Sequence, residues 1–203
     1  MTKIRGIAAE EHYHIFNRGA HKERLFREDA DWIRFLFLLL YCQVPTTLTH
    51  VRRYLTQDGV QNGFSVPAKY ESEIEKDRLV ELVAFCIMPN HFHLILKEVS
   101  EGGIAMYMKR VLGGYTGYFN EKYEASGHLF QGRYKNVHVK DNDQLLYLSS
   151  YIHRNPRELE KWKGLEAAYS YSSFQDYVAM NRWGNLIKRD FILDQFEGIS
   201  KCN

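Results

Sequence analysis

The run from Leu82 to Glu98 constrains the fold more than any other stretch of the chain. Leu82 to Ile87 is an unbroken apolar, β-prone segment, and a second apolar run, Leu94-Ile95-Leu96, ends at Lys97-Glu98. Pro89-Asn90 interrupts the two as a turn does, so the pair reads as a β-hairpin whose second strand opens with His91-Phe92-His93. On a strand, residues i and i+2 share one side of the sheet, with Cα atoms roughly 6.5–7 Å apart. Two imidazoles at that spacing can converge on one metal ion while Phe92 faces the other way. Alone, a His-x-His pair is a weak signal that an exposed or structural pair matches equally well. It needs partners elsewhere in the chain.

A chain of 203 residues holds one substantial core, or one domain with an appendage. Its 45% hydrophobic and 26% charged content is that of an ordinary soluble globular protein. Charged Lys3, Arg5, Glu10 and Glu11, with no apolar core segment among them, speak against a signal peptide. The longest apolar run, Phe35 to Cys42, is too short to span a bilayer, so no membrane partner is expected. Cys42, Cys86 and Cys202 stand far apart without a Cys-x-x-Cys, which suits a reducing cytoplasm and argues against a disulfide framework.

The net charge of +2 says little, but its distribution says more. From Ala105 to Lys140, Lys109, Arg110, Lys122, Arg133, Lys135 and Lys140 face only Glu121 and Glu124, with seven aromatic residues interleaved. Cations that track phosphates and rings that stack on bases are what a single-stranded nucleic-acid groove uses. A solvated helix face over core aromatics gives the same pattern, and the two readings stand level.

In chain order, His12 to Asn17 is a short β-prone stretch closed by Asn17-Arg18-Gly19, which reads as a turn. His12 and His14 repeat the i, i+2 spacing and are read as ordinary strand residues. Asp29 or Asp31 caps a helix from about Trp32 to Cys42, with Trp32, Phe35, Leu36, Leu39 and Leu40 as its apolar stripe. Val44 to Leu79 has no clear period and reads as an insertion or a helix-and-loop excursion: a helical turn near Thr49–Leu55, loop over Asp58–Pro67, then an acidic stretch from Glu71 to Asp77. Ser100-Glu101-Gly102-Gly103 opens a long helix, Ile104 to about Tyr123, interrupted or strained at Gly113-Gly114. Leu129 to Val139 reads as another strand. Asp141 or Asp143 caps a helix from Gln144 to Asn155, stopped by Pro156.

The predicted class is therefore α+β: a ferredoxin-like β-α-β-β-α-β order in a four-stranded antiparallel sheet, with an added helix and a short aromatic C-terminal lobe. Residues 1–160 are expected to form one domain, with 44–79 as an insertion, and 161–203 an extension packing on it.

At about 100° per residue, the Gln144–Asn155 helix puts Leu145, Leu148, Ser149 and Ile152 on one side. Tyr147, Tyr151 and Arg154 fall on the other, with Asn155 on the flank, one turn after Tyr151. With 14 tyrosines in the chain, any one of them is by default an amphipathic packing residue.

Together, Met88-Pro89-Asn90-His91-Phe92-His93, Tyr151-Ile152-His153-Arg154-Asn155-Pro156 and Leu129-Phe130-Gln131-Gly132-Arg133-Tyr134-Lys135 resemble the REP-associated tyrosine transposases. These are single-tyrosine HUH transposases that move insertion sequences as single-stranded DNA. His14-Ile15-Phe16-Asn17-Arg18-Gly19 and Tyr171-Ser172-Ser173-Phe174 fit the same pattern, so the likeness covers most of Tyr13 to Tyr177 in matching order. It does not cover Val44–Leu79 or the last twenty or so residues.

The resemblance implies that His91 and His93 are metal ligands, that Asn155 is the third, where many relatives have Gln, and that Tyr151 is the nucleophile. It implies Mg²⁺ or Mn²⁺ as cofactor and a 5′-phosphotyrosine intermediate. Single-stranded DNA with an adjoining hairpin is the expected partner, met by Lys109, Arg110, Arg133, Tyr134, Lys135 and Arg154; a homodimer stays open. Three other readings remain: an RNA-recognition-type binding module, a hairpin-binding protein that has lost its chemistry, and a metal hydrolase using water.

Overall fold

Strands β1 (His12–Arg18), β2 (Val80–Met88), β3 (His91–Glu98) and β4 (Lys135–Val139) form one antiparallel sheet in the order β2-β3-β1-β4. The structure, a computed structural model, describes residues 7–46 and 49–200; Lys3, Arg5 and Cys202 lie outside them. The strand order and the helices between strands are those of the predicted ferredoxin-like α+β fold.

The period of two along the hairpin builds the layers. Phe85, Ile87, Phe92, Leu94 and Leu96, with Ile15 of β1, lie in one core cluster with helices α1 (Asp29–Tyr41) and α4 (Gly103–Tyr123). Cys86, Met88 and Ile95 point the other way, into a cluster with Leu145 and Ile152 of α5 (Asn142–Arg154). Phe92 is fully buried, and its ring meets Phe35 of α1 at 5.4 Å. Burial of such a ring contributes about 1.5–3 kcal/mol, and it fixes which side of β3 the two histidines occupy. That side faces α5.

Several local expectations are corrected. Glu28, not Asp29 or Asp31, is the N-cap of α1. Asp31 instead accepts from the Arg27 and Glu28 backbone N–H groups, at 2.8 and 3.2 Å. It is fully buried and also binds Lys122 Nζ (2.6 Å) and the Tyr118 and Tyr123 hydroxyls, which ties α1 to the end of α4. Helix α4 runs unbroken through Gly113-Gly114. Gly114 faces Leu38 of α1, where an added Cβ would make an ordinary contact at 3.6 Å, and neither glycine breaks the helix. The buried Glu98 carboxylate caps α4, accepting from Gly103 and Ile104 N–H at 3.1 and 2.6 Å.

The predicted strand Leu129–Val139 is a strand only from Lys135. Gly132 takes φ +69°, a left-handed conformation that ends any extended run there, and Gln131 N–H donates to Arg18 O at 2.8 Å. Asp141 caps α5, its carboxylate accepting from Gln144 N–H at 2.8 Å.

Residues 44–79 leave and re-enter the fold at neighbouring points, since Leu79 N–H donates to Gln43 O at 2.6 Å. Between them lie a 3₁₀ turn (Val51–Tyr54), α2 (Gln57–Asn62) and α3 (Ala68–Lys76), so part of the expected loop and the acidic stretch from Glu71 to Lys76 are helical, with Asp77 as the C-cap of α3. The C-terminal segment, with short helices α6 (Phe174–Val178) and α7 (Asp190–Ser200), covers the exposed edge of β2. Tyr171 O accepts from Ile87 N–H (2.9 Å) and Ser173 N–H donates to Phe85 O (3.0 Å), pairing backbone groups that a bare edge strand would leave open.

Ser173 also holds α5. Its hydroxyl accepts from Phe85 N–H and lies 2.9 Å from Nε2 of buried His153, whose ring stacks on Phe174 at 5.2 Å. Burial pushes the His153 pKa down to about 3, well below the 6.5 of an exposed ring. The unfolded chain therefore binds a proton that the folded one refuses between those values, and stability falls as pH drops from about 6.5 toward 3. The slope approaches 1.4 kcal/mol per pH unit per such group. Urea melts should show lower stability at pH 5 than at pH 7, and His153→Gln should flatten that dependence; an unchanged acid limb counts against the buried neutral ring.

Candidate active site

His91 and His93 stand on the α5 side of β3, with ring centroids 5.2 Å apart and planes at 83°. Each ring has one nitrogen engaged on the sheet side. His91 Nδ1 lies 2.8 Å from Asn90 Oδ1, which can only accept, so in the neutral ring Nδ1 carries the proton and Nε2 the lone pair. His93 Nδ1 lies 2.9 Å from His14 Nε2 on β1. Burial first, then the neighbouring His14 and His91, push the His93 pKa down to about 3, and burial takes His14 down to about 4. Both are neutral at physiological pH, as ligation requires.

Helix α5 crosses above them. Its core side, Leu145, Ser149 and Ile152, is buried as the period requires, leaving Tyr147 75% and Tyr151 46% exposed. The Tyr151 ring stands edge-on to His93 at 5.6 Å and to His14 at 6.4 Å, all within one chain. Asn155, at the end of α5, donates from Nδ2 to Tyr151 O at 2.9 Å. Its Oδ1 is thereby turned outward, 3.4 Å from His91 Nε2. With the neutral ring protonated on Nδ1, neither atom has a proton to give. Two lone pairs face each other at about the separation of neighbouring ligands on a small divalent ion, roughly 3 Å. The shorter Asn side chain does reach His91.

Among the described residues no group of three or more His, Cys, Asp or Glu side chains is arranged to hold a metal ion. The carboxamide oxygen of Asn155 is the further protein oxygen that stands beside the histidine pair, 3.4 Å from His91 Nε2. Next to the pair opens a cleft of about 510 Å³ lined by Phe16, Arg18, Lys22, Gln131, Lys135 and Glu158 among others.

The structure splits the basic-aromatic stretch. Tyr107, Tyr115, Phe119 and Phe130 are buried in the main core and cannot stack on bases, so the packing reading holds for them. Lys109 and Arg110 belong to α4, on the layer away from the histidines, where Arg110 donates to Thr46 O at 2.7 Å. Lys135 lines the cleft, Arg133 and half-buried Tyr134 adjoin it in sequence, and Arg154 is exposed on α5. Arg18, Lys22 and Gln131 are cleft residues not expected as site residues; Arg18 and Gln131 stand in segments that carry the family resemblance, while nothing in the sequence points to Lys22.

The fold and this cleft define an α+β protein with a histidine pair on a central strand under a tyrosine-bearing helix. The chain belongs to the IS200-like transposases: the family model described as "Transposase IS200 like" matches residues 41–155, more than half of its length. Among solved structures it is similar to a REP-associated tyrosine transposase bound to a REP hairpin, with TM-score 0.58 and 12% identity over 93% of this chain and 91% of that one. That likeness shows the fold. A second similarity is to a candidate transposase from Deinococcus radiodurans R1, with TM-score 0.37 and 19% identity over 75% of this chain and 95% of that one. No curated protein matches. Among the described residues no helix is long and apolar enough to cross a membrane.

Proposed function

We propose that the chain is a metal-dependent single-stranded DNA transposase that cleaves and rejoins strands through a 5′-phosphotyrosine. The observation that carries this is the approach of His91 Nε2 and Asn155 Oδ1 to 3.4 Å, with Tyr151 beside His93 in the same chain. His91, His93 and Asn155 would hold Mg²⁺ or Mn²⁺, which supplies Lewis-acid polarisation of a phosphate when bound.

The chain's own residues do the rest. The Tyr151 phenol oxygen attacks phosphorus, the phenolic proton is lost, and the bond to the 3′ oxygen breaks, leaving a free 3′-hydroxyl after protonation. The aryl phosphodiester conserves the bond, so a later 3′-hydroxyl can displace the tyrosine and rejoin strands. Helix α5 keeps Tyr151 over the histidines because Ile152 and His153 anchor the opposite side of the helix. Arg18, Lys22 and Lys135 give the cleft a positive lining suited to the phosphates on either side of the scissile one. Arg133, Tyr134 and Arg154 extend that path, while Lys109 and Arg110 are left outside it. The hairpin-bound state of the similar transposase supports hairpin DNA as partner.

We also propose that 1–160 is one catalytic unit into which 44–79 is inserted, and that 161–203 serves as its brace. Supporting this, Arg182 donates to Val60 O and Ser170 O, both at 2.9 Å.

Protein incubated with hairpin-bearing single-stranded DNA and Mn²⁺ should yield a covalent complex on a denaturing gel, and EDTA or His91→Ala should remove it. Cleavage without a covalent complex would identify a hydrolytic nuclease, and binding without either an inactive hairpin binder. Lys135→Ala should weaken DNA binding and lower the slope of log affinity against log salt by about 0.7, the share of a single phosphate that is no longer neutralised. An unchanged slope in a filter-binding titration removes Lys135 from the DNA path.

A further inference from the structure

Resting on the reading of His91 and His93 as metal ligands, we infer that His14 is a positioning residue: it fixes the tautomer and orientation of His93. The β1–β3 register pairs Phe16 with His93 and His14 with Ile95, so His14 and His93 are diagonal neighbours on one face of the sheet. Their rings stack at 5.1 Å with planes 23° apart, and His14 Nε2 lies 2.9 Å from His93 Nδ1.

Two ring nitrogens that close share one proton. If His14 holds it, His93 carries its own proton on Nε2 and offers the cleft no lone pair. If His93 holds it on Nδ1, its Nε2 lone pair is free. Ligation by His93 Nε2 selects the second arrangement, with His14 Nε2 as acceptor. His91 already has that form, with Nδ1 donating to Asn90 Oδ1 at 2.8 Å. Both imidazoles of the pair then present Nε2, and each has its Nδ1 proton held by a neighbour. Such outer partners fix ligand rings, and removing them typically costs 10–100-fold in metal affinity.

Two other roles for His14 fit less well. As a third ligand it would have to join a convergent group of His side chains, and no such group exists among the described residues. As mere filling it would be replaceable by phenylalanine, since its ring already packs on Phe16 at 4.7 Å.

The test compares wild type, His14→Phe and His14→Gln. Phe keeps the ring and removes the acceptor; Gln restores an acceptor at the ε position. Mn²⁺ affinity, read by calorimetry without DNA, should fall about 10–100-fold in His14→Phe and stay within a few-fold in His14→Gln, with circular dichroism unchanged. Separately, ¹⁵N-histidine spectra of metal-free wild type should show the His93 proton on Nδ1, a reading that needs no variant to fold. Equal Mn²⁺ affinity in His14→Phe, equal losses in both variants, or a His93 proton on Nε2 would overturn the assignment. A wild-type protein that binds no Mn²⁺ overturns instead the metal reading beneath it.

Discussion

Tyr151→Phe is expected to eliminate covalent capture and strand cleavage together while leaving hairpin DNA binding and the fold intact. The substitution removes one hydroxyl from a side chain that is 46% exposed, and the ring can keep its edge-on packing against His93. A surface change of this kind usually shifts stability by no more than about 0.5 kcal/mol. Tyr147→Phe is the matched control: Tyr147 is 75% exposed and lies one turn before Tyr151 on α5, about 6 Å away along the axis. A denaturing gel of the Mn²⁺ reaction reads both variants. A persistent adduct in Tyr151→Phe moves the role to another tyrosine.

The largest stability effect is expected in the brace, not the cleft. Asp176 and Arg182 are both buried and form a bidentate pair, Nε–Oδ1 at 2.9 Å and Nη2–Oδ2 at 2.7 Å. Trp183 Nε1 donates to the same carboxylate at 3.1 Å, and Arg182 Nη2 to Ser172 O at 2.9 Å. Asp176→Ala strands the guanidinium inside the protein, so unfolding free energy should fall by about 3–5 kcal/mol. In a domain of this size that is on the order of 10 °C in Tm. Because Arg182 also holds Ser170 and Ser172, the cover on β2 should loosen, and with it the seat of His153. A thermal melt within about 2 °C of wild type would show that the pair is dispensable.

The elements that can be read from sequence are those whose information is local. The alternation around Phe92 and the stripe of α1 give the sheet and its helix layer directly. His91 with His93, and Tyr151 with Asn155, are spaced by the periods of their own elements, so each half of the site is written in a few adjacent residues. What joins them is not local. That His14 meets His93 depends on β1–β3 register, and that Lys135, Gln131 and Arg18 share a cleft depends on how the chain bends before β4. That bend rests on one left-handed glycine, Gly132, inside a β-prone run. The buried role of Tyr107, Tyr115 and Phe119 is equally hidden, because aromatic residues among cations look alike in a core and in a nucleic-acid groove. Gly113-Gly114 misleads for the opposite reason: glycine reads as a break where here α4 continues through both residues.

The central claim is that Tyr151 becomes bonded to phosphorus, and mass spectrometry of the trapped complex addresses it directly. Tryptic cleavage after Lys140 and Arg154 places Tyr147 and Tyr151 in one peptide, so fragmentation must separate them. The trapped peptide should carry a nucleotide joined through its 5′ phosphate to Tyr151. An adduct on Tyr147, or cleaved DNA with the peptide unmodified, would contradict it.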